Sequence, residues 1–319
     1  NIKKTINYSK KNGYKEAALA AWERMTARYY ADYTYETPKE EELKRQREDR
    51  TLEPISFSLI VPAFETHRNH LTDLIESCLA QTYGNWELIL ADGSETQEVS
   101  AVMSQYEDSR IHYVRLQENG GISENTNQAL AYATGDYCGL VDHDDILTPD
   151  ALYEMARAIT EAVSEGKEKP VLLYSDEDKC DSQGNHFYDP HIKQDFNLDL
   201  LLTNNYICHF SVFSRELLEG TELFRSGFDG SQDHDMILRL TSNAKCIVHV
   251  PKLMYYWRSH KGSVASDISA KPYAIAAAKG AVADHLTRCG FKNFEIKSTR
   301  AFETIFEIKY EILKEDKIS

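Results

Sequence analysis

The chain has 319 residues and a formal net charge of -15 at pH 7, from 36 lysines and arginines against 51 aspartates and glutamates. A chain of this length can bury a sizeable core, as one large α/β domain with appendages or as two small domains. Its acidic balance argues against a nucleic-acid groove and against a broad surface for anionic membranes.

Apolar runs and cysteines narrow the class of protein further. No apolar run approaches the roughly 20 residues of a membrane span, and nothing at the start is typical of a signal peptide. The 6 cysteines are far apart and include no CxxC pair. That usage is typical of reduced core thiols rather than of disulfides or a zinc site, so we expect a cytoplasmic protein.

Residues 1–53 predict a helical, charged extension. The segment from Ala17 to Arg28 has helical character, Pro38 interrupts it, and Glu40 to Arg50 is a dense mix of charges with hardly an apolar residue. This pattern is typical of a solvated helix or tether. The lysines at the start leave open a peripheral contact with a partner or with the inner face of a membrane, although we favour a solvent-facing helix.

Strands and helices alternate after Pro54 and predict the main domain, residues 54–290. The expected fold class is α/β, a doubly wound, mixed and mostly parallel sheet with helices on both faces. Ligands bind at the carboxyl ends of such strands, so Glu65, Asp92, Gly120 and Asp142 should line one crevice. The first predicted strands cover 55–61, 86–91, 111–116 and the residues before 142, with helices over 71–79, 96–106 and 122–133.

The order of elements becomes irregular beyond Pro149. Helices are predicted over 152–163, 196–202, 233–240 and 275–286, strands over 171–174, 206–213, 246–250 and 253–257, and a hairpin turn over 181–185. Two alternating patterns, 294–297 and 304–310, predict strands in a C-terminal segment, residues 291–319.

An apolar strand ends in three carboxylates within four residues, Asp142, Asp144 and Asp145. Like charges held this close repel one another, so a bound cation would stabilise them. Mg²⁺ and Mn²⁺ prefer oxygen ligands and commonly join protein carboxylates to substrate phosphates. The stretch therefore predicts a site for a metal and a diphosphate, with a polar turn that caps the next helix as an equal alternative.

Polar residues at the other strand ends and helix starts each allow two interpretations. The amides of Gly120 and Gly121 could face a phosphate, but the loop is neither GxGxxG nor a P-loop, and a plain turn is more common. Asp92 could bind a base or ribose, or form an Asx turn. Glu65 could face the crevice or start a helix, and Asn127 either bonds to a neighbouring loop or faces the crevice.

Two later polar segments carry further candidates. Asp233 precedes an apolar helix, which it could simply cap, or it could take a proton from an attacking hydroxyl across the crevice. After Trp257, His260 could complete a metal shell, and Arg258 or Lys261 could neutralise diphosphate charge. Lone loop histidines are usually exposed, so the role of His260 depends on the aspartates.

A third charged segment follows the strand predicted over 171–174. Asp176, Asp178 and Lys179 are candidates for contacts with a sugar or an acceptor, together with Trp257. Their alternative is a solvated turn.

Together these stretches resemble family two of the inverting nucleotide-sugar glycosyltransferases, which have the GT-A fold and include rhamnosyl-, galactosyl- and glucosyltransferases of bacterial surface polysaccharides. The resemblance spans about 56–286, and its stretches occur in the family's order. They are SLIVPAFE (58–65), LADGS (90–94), NGGIS (119–123) with Asn127, VDHDD (141–145), SDEDK (175–179), GFDGSQDHD (227–235) and YWRSHKGS (256–263).

The resemblance implies that Pro62, Phe64, Glu65 and Asp92 hold the base and ribose of the donor. Family members frequently have Asp-Asp where this chain has Ala91-Asp92. One carboxylate is therefore left at that position, which puts base selectivity in doubt.

The resemblance also implies the metal site and the catalytic base. Asp142 would contact ribose or the metal, Asp144 and His260 would be metal ligands, and Asp233 would be the base. Members often have Glu-Asp where this chain has Gln232-Asp233, so only the aspartate of that pair can serve as the base.

The implied reaction is a transfer, dependent on Mn²⁺ or Mg²⁺, of a hexosyl or rhamnosyl group from a UDP- or dTDP-sugar to a hydroxyl of a glycan or glycolipid, with inversion. The alternatives are a sugar-nucleotide nucleotidyltransferase, a two-carboxylate glycoside hydrolase and a catalytically inactive binding module. The last residues resemble the linker strands between two such domains, so we expect a piece of a longer, multidomain chain.

Overall fold

The computed structural model describes residues 9–10, 13–26, 36, 38–259 and 272–311. Within these ranges, the helices α1 (Tyr14–Thr26) and α2 (Glu40–Glu48) precede the sheet. Helix α2 is mostly exposed but buries Leu43 and Gln46, and the Gln46 side chain accepts a hydrogen bond of 2.8 Å from Thr82. No helix in these ranges is both long enough and apolar enough to cross a membrane.

The main sheet of the described residues has nine strands, in the order β3-β2-β1-β4-β8-β6-β9-β5 with β7 beside β6. Strands β1 to β4 pair in parallel with one another, as do β6 and β9, whereas β8, β7 and β5 pair antiparallel to their neighbours. The strands are β1 (Phe57–Ala63), β2 (Trp86–Asp92), β3 (Ile111–Arg115), β4 (Tyr137–Leu140), β5 (Ile146–Leu147), β6 (Leu172–Cys180), β7 (Phe187–His191), β8 (Ser211–Ser214) and β9 (Ile247–Arg258).

Helices cover both faces of this sheet, as predicted, because successive residues of a strand point to opposite sides. Leu59 packs in one apolar cluster with residues of α3 and α6, whereas Ile60 packs in another with residues of α5 and α9. These helices are α3 (Arg68–Leu79), α4 (Glu98–Met103), α5 (Ile122–Leu130), α6 (Ala151–Ser164), α7 (Leu198–Thr203), α8 (Arg215–Glu219), α9 (Gln232–Asn243) and α10 (Pro272–Arg288).

A third apolar cluster lies beside the main sheet. It joins Tyr174 of β6 and Leu201 of α7 to Val282 of α10 and to Phe306. Phe306 belongs to a separate antiparallel pair, β10 (Phe294–Ser298) and β11 (Phe306–Tyr310), close to the two predicted terminal strands.

Strand β1 continues through Pro62 to Ala63, although the sequence predicts that it stops at the proline. The Ile60 carbonyl accepts from Val141 of the β4 side, and the Ala63 carbonyl accepts from Gly93 of the β2 side. Successive residues of a strand direct their N–H and C=O groups to opposite neighbouring strands, so the Pro62 nitrogen points to the β4 side. Strand β4 has already ended there, at Leu140. Its missing N–H therefore costs no ladder hydrogen bond.

The strands predicted over 246–250 and 253–257 form one continuous strand, β9. The pairing of β6 with β9 jumps from Ser175↔Val250 to Asp176↔Leu253, so Pro251 lies in an irregularity that needs no N–H donor. Strand β6 is likewise longer than predicted and continues to Cys180.

Candidate active site

A cleft opens at the carboxyl ends of β1 and β4, where parallel α/β sheets bind ligands. Its empty volume is about 470 Å³, and the start of α9 closes one side. Polar and apolar residues from six parts of the chain line it, namely Ile60, Pro62, Ile122, Thr126, Leu140, Val141, Asp142, Cys208, His209, Phe224, Gln232 and Asp233. The structure thus brings Pro62, Asp142 and Asp233 together, as the sequence predicts.

Asp142 follows β4 and faces the cleft with 46% of its side chain exposed, and its Oδ2 lies 3.6 Å from His209 Nε2. Burial raises the pKa of Asp142, but the hydrogen bond and charge of His209 lower it by more, so the pKa lies below its usual value. The His209 ring stacks on Tyr255 with centroids 4.6 Å apart. Asp142 is therefore an ionised carboxylate beside a fixed imidazole.

Asp145 is fully buried beneath Asp142. Its carboxylate accepts hydrogen bonds from Tyr255 Oη at 2.6 Å and from the Arg258 amide at 2.7 Å. Burial, together with the charges of Asp144 and Asp142, raises the pKa of Asp145 well above its usual range. Asp145 therefore anchors the turn after β4, whereas Asp142 is the carboxylate that faces the cleft.

Two groups of described residues have ligand atoms within 4.8 Å of one another: Asp142, Asp145 and His209, and Glu177, Cys208 and His209. In the second group the buried Lys193 ammonium lies 3.4 Å from Glu177 and already supplies a positive charge. The first group fits a divalent ion better, since carboxylate oxygens suit Mg²⁺ and Mn²⁺. His260 and Lys261 lie outside the described residues.

Asp233 is in the first turn of α9, where a carboxylate is favoured by the helix dipole. Its Oδ2 accepts a hydrogen bond of 2.8 Å from Asn205 Nδ2, and Cys208 Sγ lies 3.8 Å from the same oxygen. The carboxylate lies on the wall of the cleft that also contains His209. Its predicted role as a base stays a prediction, but it is in a position to meet a ligand beside Asp142.

Aromatic side chains extend from the cleft towards the charged face of β6. The Trp257 ring lies 5.4 Å from the His209 ring, and Lys179 Nζ lies 5.8 Å from the Trp257 ring while it pairs with Asp189 at 2.5 Å. Phe64, just after β1, has 42% of its surface exposed.

The loop of Gly120 and Gly121 has the features of the plain turn that the sequence analysis gave as the more common alternative. Its amides donate to side chains of the protein, Gly120 to Asn125 at 3.1 Å and Gly121 to Asn119 at 3.0 Å. Gly121 has φ +88°, and a Cβ there would lie 2.8 Å from the Asp229 carboxylate. An aspartate therefore already occupies the start of α5.

Of the two alternatives for Asn127, the structure shows the bond to a neighbouring loop, and a role in binding the donor stays a prediction. Its amide donates to the Phe224 carbonyl at 2.8 Å and accepts from the Phe224 amide at 2.9 Å. Because Phe224 lines the cleft, Asn127 acts on the site through the position of Phe224.

Asp92 and Glu65 connect loops at the sheet edge and are absent from the lining of the cleft. Asp92 is fully buried, closes an Asx turn with Ser94 at 2.8 Å, and accepts from Tyr113 and Arg115 at 2.7 Å each. The Glu65 carboxylate accepts from the Thr96 hydroxyl at 2.7 Å. Both carboxylates are occupied by protein donors, so direct contact with a base or ribose is not available to Asp92 here.

The acidic residues of SDEDK lie within β6 and not in a turn after it. Asp176 is buried and accepts hydrogen bonds of 2.8 Å each from the Lys193 amide and from His249 Nε2. Asp178 is fully buried. Neither aspartate is exposed to a sugar or an acceptor, and of this segment Lys179 alone is only partly buried.

Arg258 was expected to neutralise a diphosphate, but its side chain has no exposed surface. The guanidinium donates to the Asp144 carbonyl at 2.6 Å, to the Ser182 carbonyl at 3.2 Å and to Asp73 at 2.8 Å. The positive charge of Arg258 is therefore paired within the protein, and its guanidinium holds the turn that follows β4 and contains Asp144.

Sequence reasoning missed His209, Cys208 and Asn205. They lie in or directly before the segment 206–213, which was predicted as a strand because apolar residues alternate through it. In the structure β8 begins only at Ser211. The one available signal is the polar pair Asn204-Asn205 followed by Cys208-His209 inside a predicted strand.

Residues 58–221 match the family model described as glycosyl transferase family 2, and the chain belongs to this family. The protein y4gI of Sinorhizobium fredii is 40% identical over 245 residues, which cover 75% of this chain and 26% of that protein. The O-antigen biosynthesis protein RfbC of Myxococcus xanthus is 31% identical over 266 residues, which cover 82% of this chain and 20% of that protein. The chain thus spans about a quarter or less of these relatives.

A solved structure confirms the predicted GT-A fold. S. aureus TarS 1-349 in complex with UDP matches with a TM-score of 0.53 and 20% identity, over 73% of this chain and 71% of that chain.

Proposed function

We propose that the chain is the GT-A domain of a metal-dependent, inverting glycosyltransferase that acts in bacterial polysaccharide synthesis. The observation that carries this proposal is the convergence of Asp142, from a strand end, and Asp233, from a helix start, on one cleft. Membership of glycosyl transferase family 2 and the name of the RfbC relative support it.

The donor in this proposal is a nucleoside-diphosphate sugar, UDP- or dTDP-linked. The TarS structures in complex with UDP and UDP-GlcNAc support a uridine diphosphate group. Pro62 and the exposed ring of Phe64 would contact the base at the end of β1, since an aromatic face suits a planar ring. Asp142 and His209, from the group that suits a divalent ion, and Asp144 of the same turn would hold the metal. When bound, the metal acts as a Lewis acid on the leaving diphosphate.

Asp233 supplies the base of the reaction. Its carboxylate accepts the proton of an acceptor hydroxyl while that oxygen attacks the anomeric carbon, and the bond to the diphosphate breaks on the opposite face. The sugar therefore inverts without a covalent enzyme intermediate. The acceptor would be a glycan or glycolipid hydroxyl, and the transferred group a hexose or rhamnose.

We expect Asp233→Asn to lower sugar transfer at least about a hundredfold, since general-base assistance contributes roughly 10²–10⁴-fold. Transfer is measured with UDP- and dTDP-sugars and Mn²⁺, and binding by the rise in melting temperature that Mn²⁺ and UDP produce. The variant should keep that rise, because it leaves the donor side of the cleft intact.

Asp199→Asn, the same substitution on an exposed carboxylate of α7, is the matched control and should transfer normally. Near-normal turnover of Asp233→Asn would contradict the proposed base. A wild-type protein that binds Mn²⁺ and UDP but transfers from no donor would instead favour an inactive binding module.

A further inference from the structure

The segment 205–209, between α7 and β8, contributes Cys208 and His209 to the lining of the cleft, and its Asn205 contacts Asp233, another lining residue. Asn205 donates from Nδ2 to Asp233 Oδ2 at 2.8 Å. Among the residues that the structure describes, Asp233 Oδ1 makes no hydrogen bond. The two oxygens of the Asp233 carboxylate therefore have different surroundings.

The orientation of the Asn205 amide is determined by two neighbours. Its Oδ1 accepts from the Cys208 amide at 3.4 Å while its Nδ2 faces the carboxylate. Rotating the amide by half a turn would place oxygen against oxygen and NH₂ against N–H, so the donor must face Asp233. The tight turn that brings Cys208 N–H to Asn205 has Cys208 at φ +34°.

The segment 205–209 is anchored in the core on both sides. Tyr206 is 2% exposed, its ring packs edge-on against Tyr174, and its hydroxyl accepts from the Asn197 amide at 2.9 Å. The buried Lys193 ammonium donates to the Ile207 carbonyl at 2.6 Å and also to the His209 carbonyl. Asn205 is therefore held on a rigid support, as a group that orients another side chain requires.

We propose that Asn205 is a positioning residue that fixes the Asp233 carboxylate and reserves Oδ1 for the proton of the acceptor. The inference rests on the proposed function, in which Asp233 is the base. Asn205 donates to one oxygen of the carboxylate and so restricts its rotation about the Cβ–Cγ bond. The hydroxyl proton then moves to Oδ1 while Oδ2 keeps its hydrogen bond.

The test compares Asn205→Asp and Asn205→Ala with Asn204→Ala, a neighbouring control whose side chain makes no hydrogen bond in the described structure. The measurements are kcat, the KM for the donor, and the melting temperature with Mn²⁺ and UDP. Asn205→Ala should lower kcat about tenfold at neutral pH with an unchanged donor KM, since hydrogen bonds to charged groups contribute on this scale.

The relative effects of the two variants on kcat separate a positioning role of Asn205 from a role in packing. Asn205→Asp should lower kcat further than Asn205→Ala does, because it keeps the shape of the side chain but removes the donor and places a second carboxylate against Asp233. A role in packing alone predicts the reverse, with the isosteric aspartate milder than alanine.

A wild-type kcat in Asn205→Ala, or a milder effect of Asn205→Asp, would overturn the inference. If Asp233→Asn is inactive while the Asn205 variants keep the wild-type kcat, only the role of Asn205 fails. If Asp233→Asn is fully active, the proposed function fails and the inference with it. Asn205→Asp preserves the shape of the side chain, so the test remains decisive if the alanine variant does not fold.

Discussion

Lys193 is a lysine whose side chain has no exposed surface, paired with Glu177 of β6. Burial raises the pKa of Glu177, but the charge of Lys193 and the hydrogen bonds of His191 and His209 lower it by more, so the pKa lies well below its usual value. Glu177 is therefore ionised inside the protein. The two charges depend on each other, since each alone would be a buried, uncompensated ion.

We expect Lys193→Met to lower the free energy of unfolding by about 3–5 kcal/mol, because it leaves Glu177 buried without its cation. Urea denaturation measures the change. The double variant Lys193→Met with Glu177→Gln should recover part of the loss, whereas Lys297→Met, at an exposed site, should change little. A single variant as stable as the wild type would show that Glu177 is neutral in the folded protein.

Helix α9 directs three successive residues to different surroundings. Asp233 faces the cleft, whereas His234 is 2% exposed and its Nε2 lies 2.7 Å from the Leu201 carbonyl. Asp235 is buried against Arg239 at 2.8 Å and also pairs with Arg225. One helix thus joins the proposed base to the third apolar cluster. Burial of His234 on this helix lowers its pKa.

The lowered pKa of His234 determines the direction in which the stability of the protein changes with pH. Consider pH values between the pKa of His234 in the folded protein and about 6.5, the usual histidine pKa. In this range His234 binds a proton in the unfolded chain but not in the folded chain. Stability should therefore rise as pH increases through this window. Thermal midpoints at pH 5.5 and 7.5 should differ less in His234→Gln than in the wild type, while His186→Gln, an exposed site, should keep the wild-type difference. An unchanged difference in His234→Gln would contradict burial as the cause.

On the scale of the whole molecule, Arg258 joins three distant parts of the chain. Its guanidinium bonds to Asp73 of α3, to the Asp144 carbonyl after β4 and to the Ser182 carbonyl in the hairpin between β6 and β7. The turn of aspartates is thus held by a buried cation from the end of β9. Only the planar guanidinium group of an arginine, with its several N–H donors, can make these three hydrogen bonds at once.

Arg258→Lys should lower the free energy of unfolding by about 2–4 kcal/mol, because a single ammonium leaves buried carbonyls unpaired. The stabilisation by Mn²⁺ with UDP should fall as well, since the turn that carries Asp142 and Asp144 loses its support. Differential scanning calorimetry with and without these ligands measures both effects. Arg47→Lys, at an exposed ion pair, is the control. Unchanged stability and ligand response would show that the turn is held by other contacts.

Much of the first half of the fold could be predicted from periodicity. The helix predicted over 71–79 is α3 and the strand over 86–91 is β2, because apolar spacing records which face of each element is buried. The position of Asp142 at the cleft was also predictable, since carboxyl ends of parallel strands share one edge, whereas Asp233 begins a helix and was placed there through the resemblance to the family. What periodicity cannot predict is which polar groups are used within the protein, as the hydrogen bonds of Gly120, Gly121 and Asp92 illustrate.

By itself, then, the sequence determined the α/β class, the family and the two aspartates of the cleft, because these depend on local patterns and on motif order. Only the tertiary structure decided that Arg258 and Asp176 are buried partners of other protein groups, that His209 lines the cleft and that Asn205 bonds to Asp233. The physical reason is that a polar side chain finds its partner on a distant segment. Spacing along the chain does not encode that distance in space.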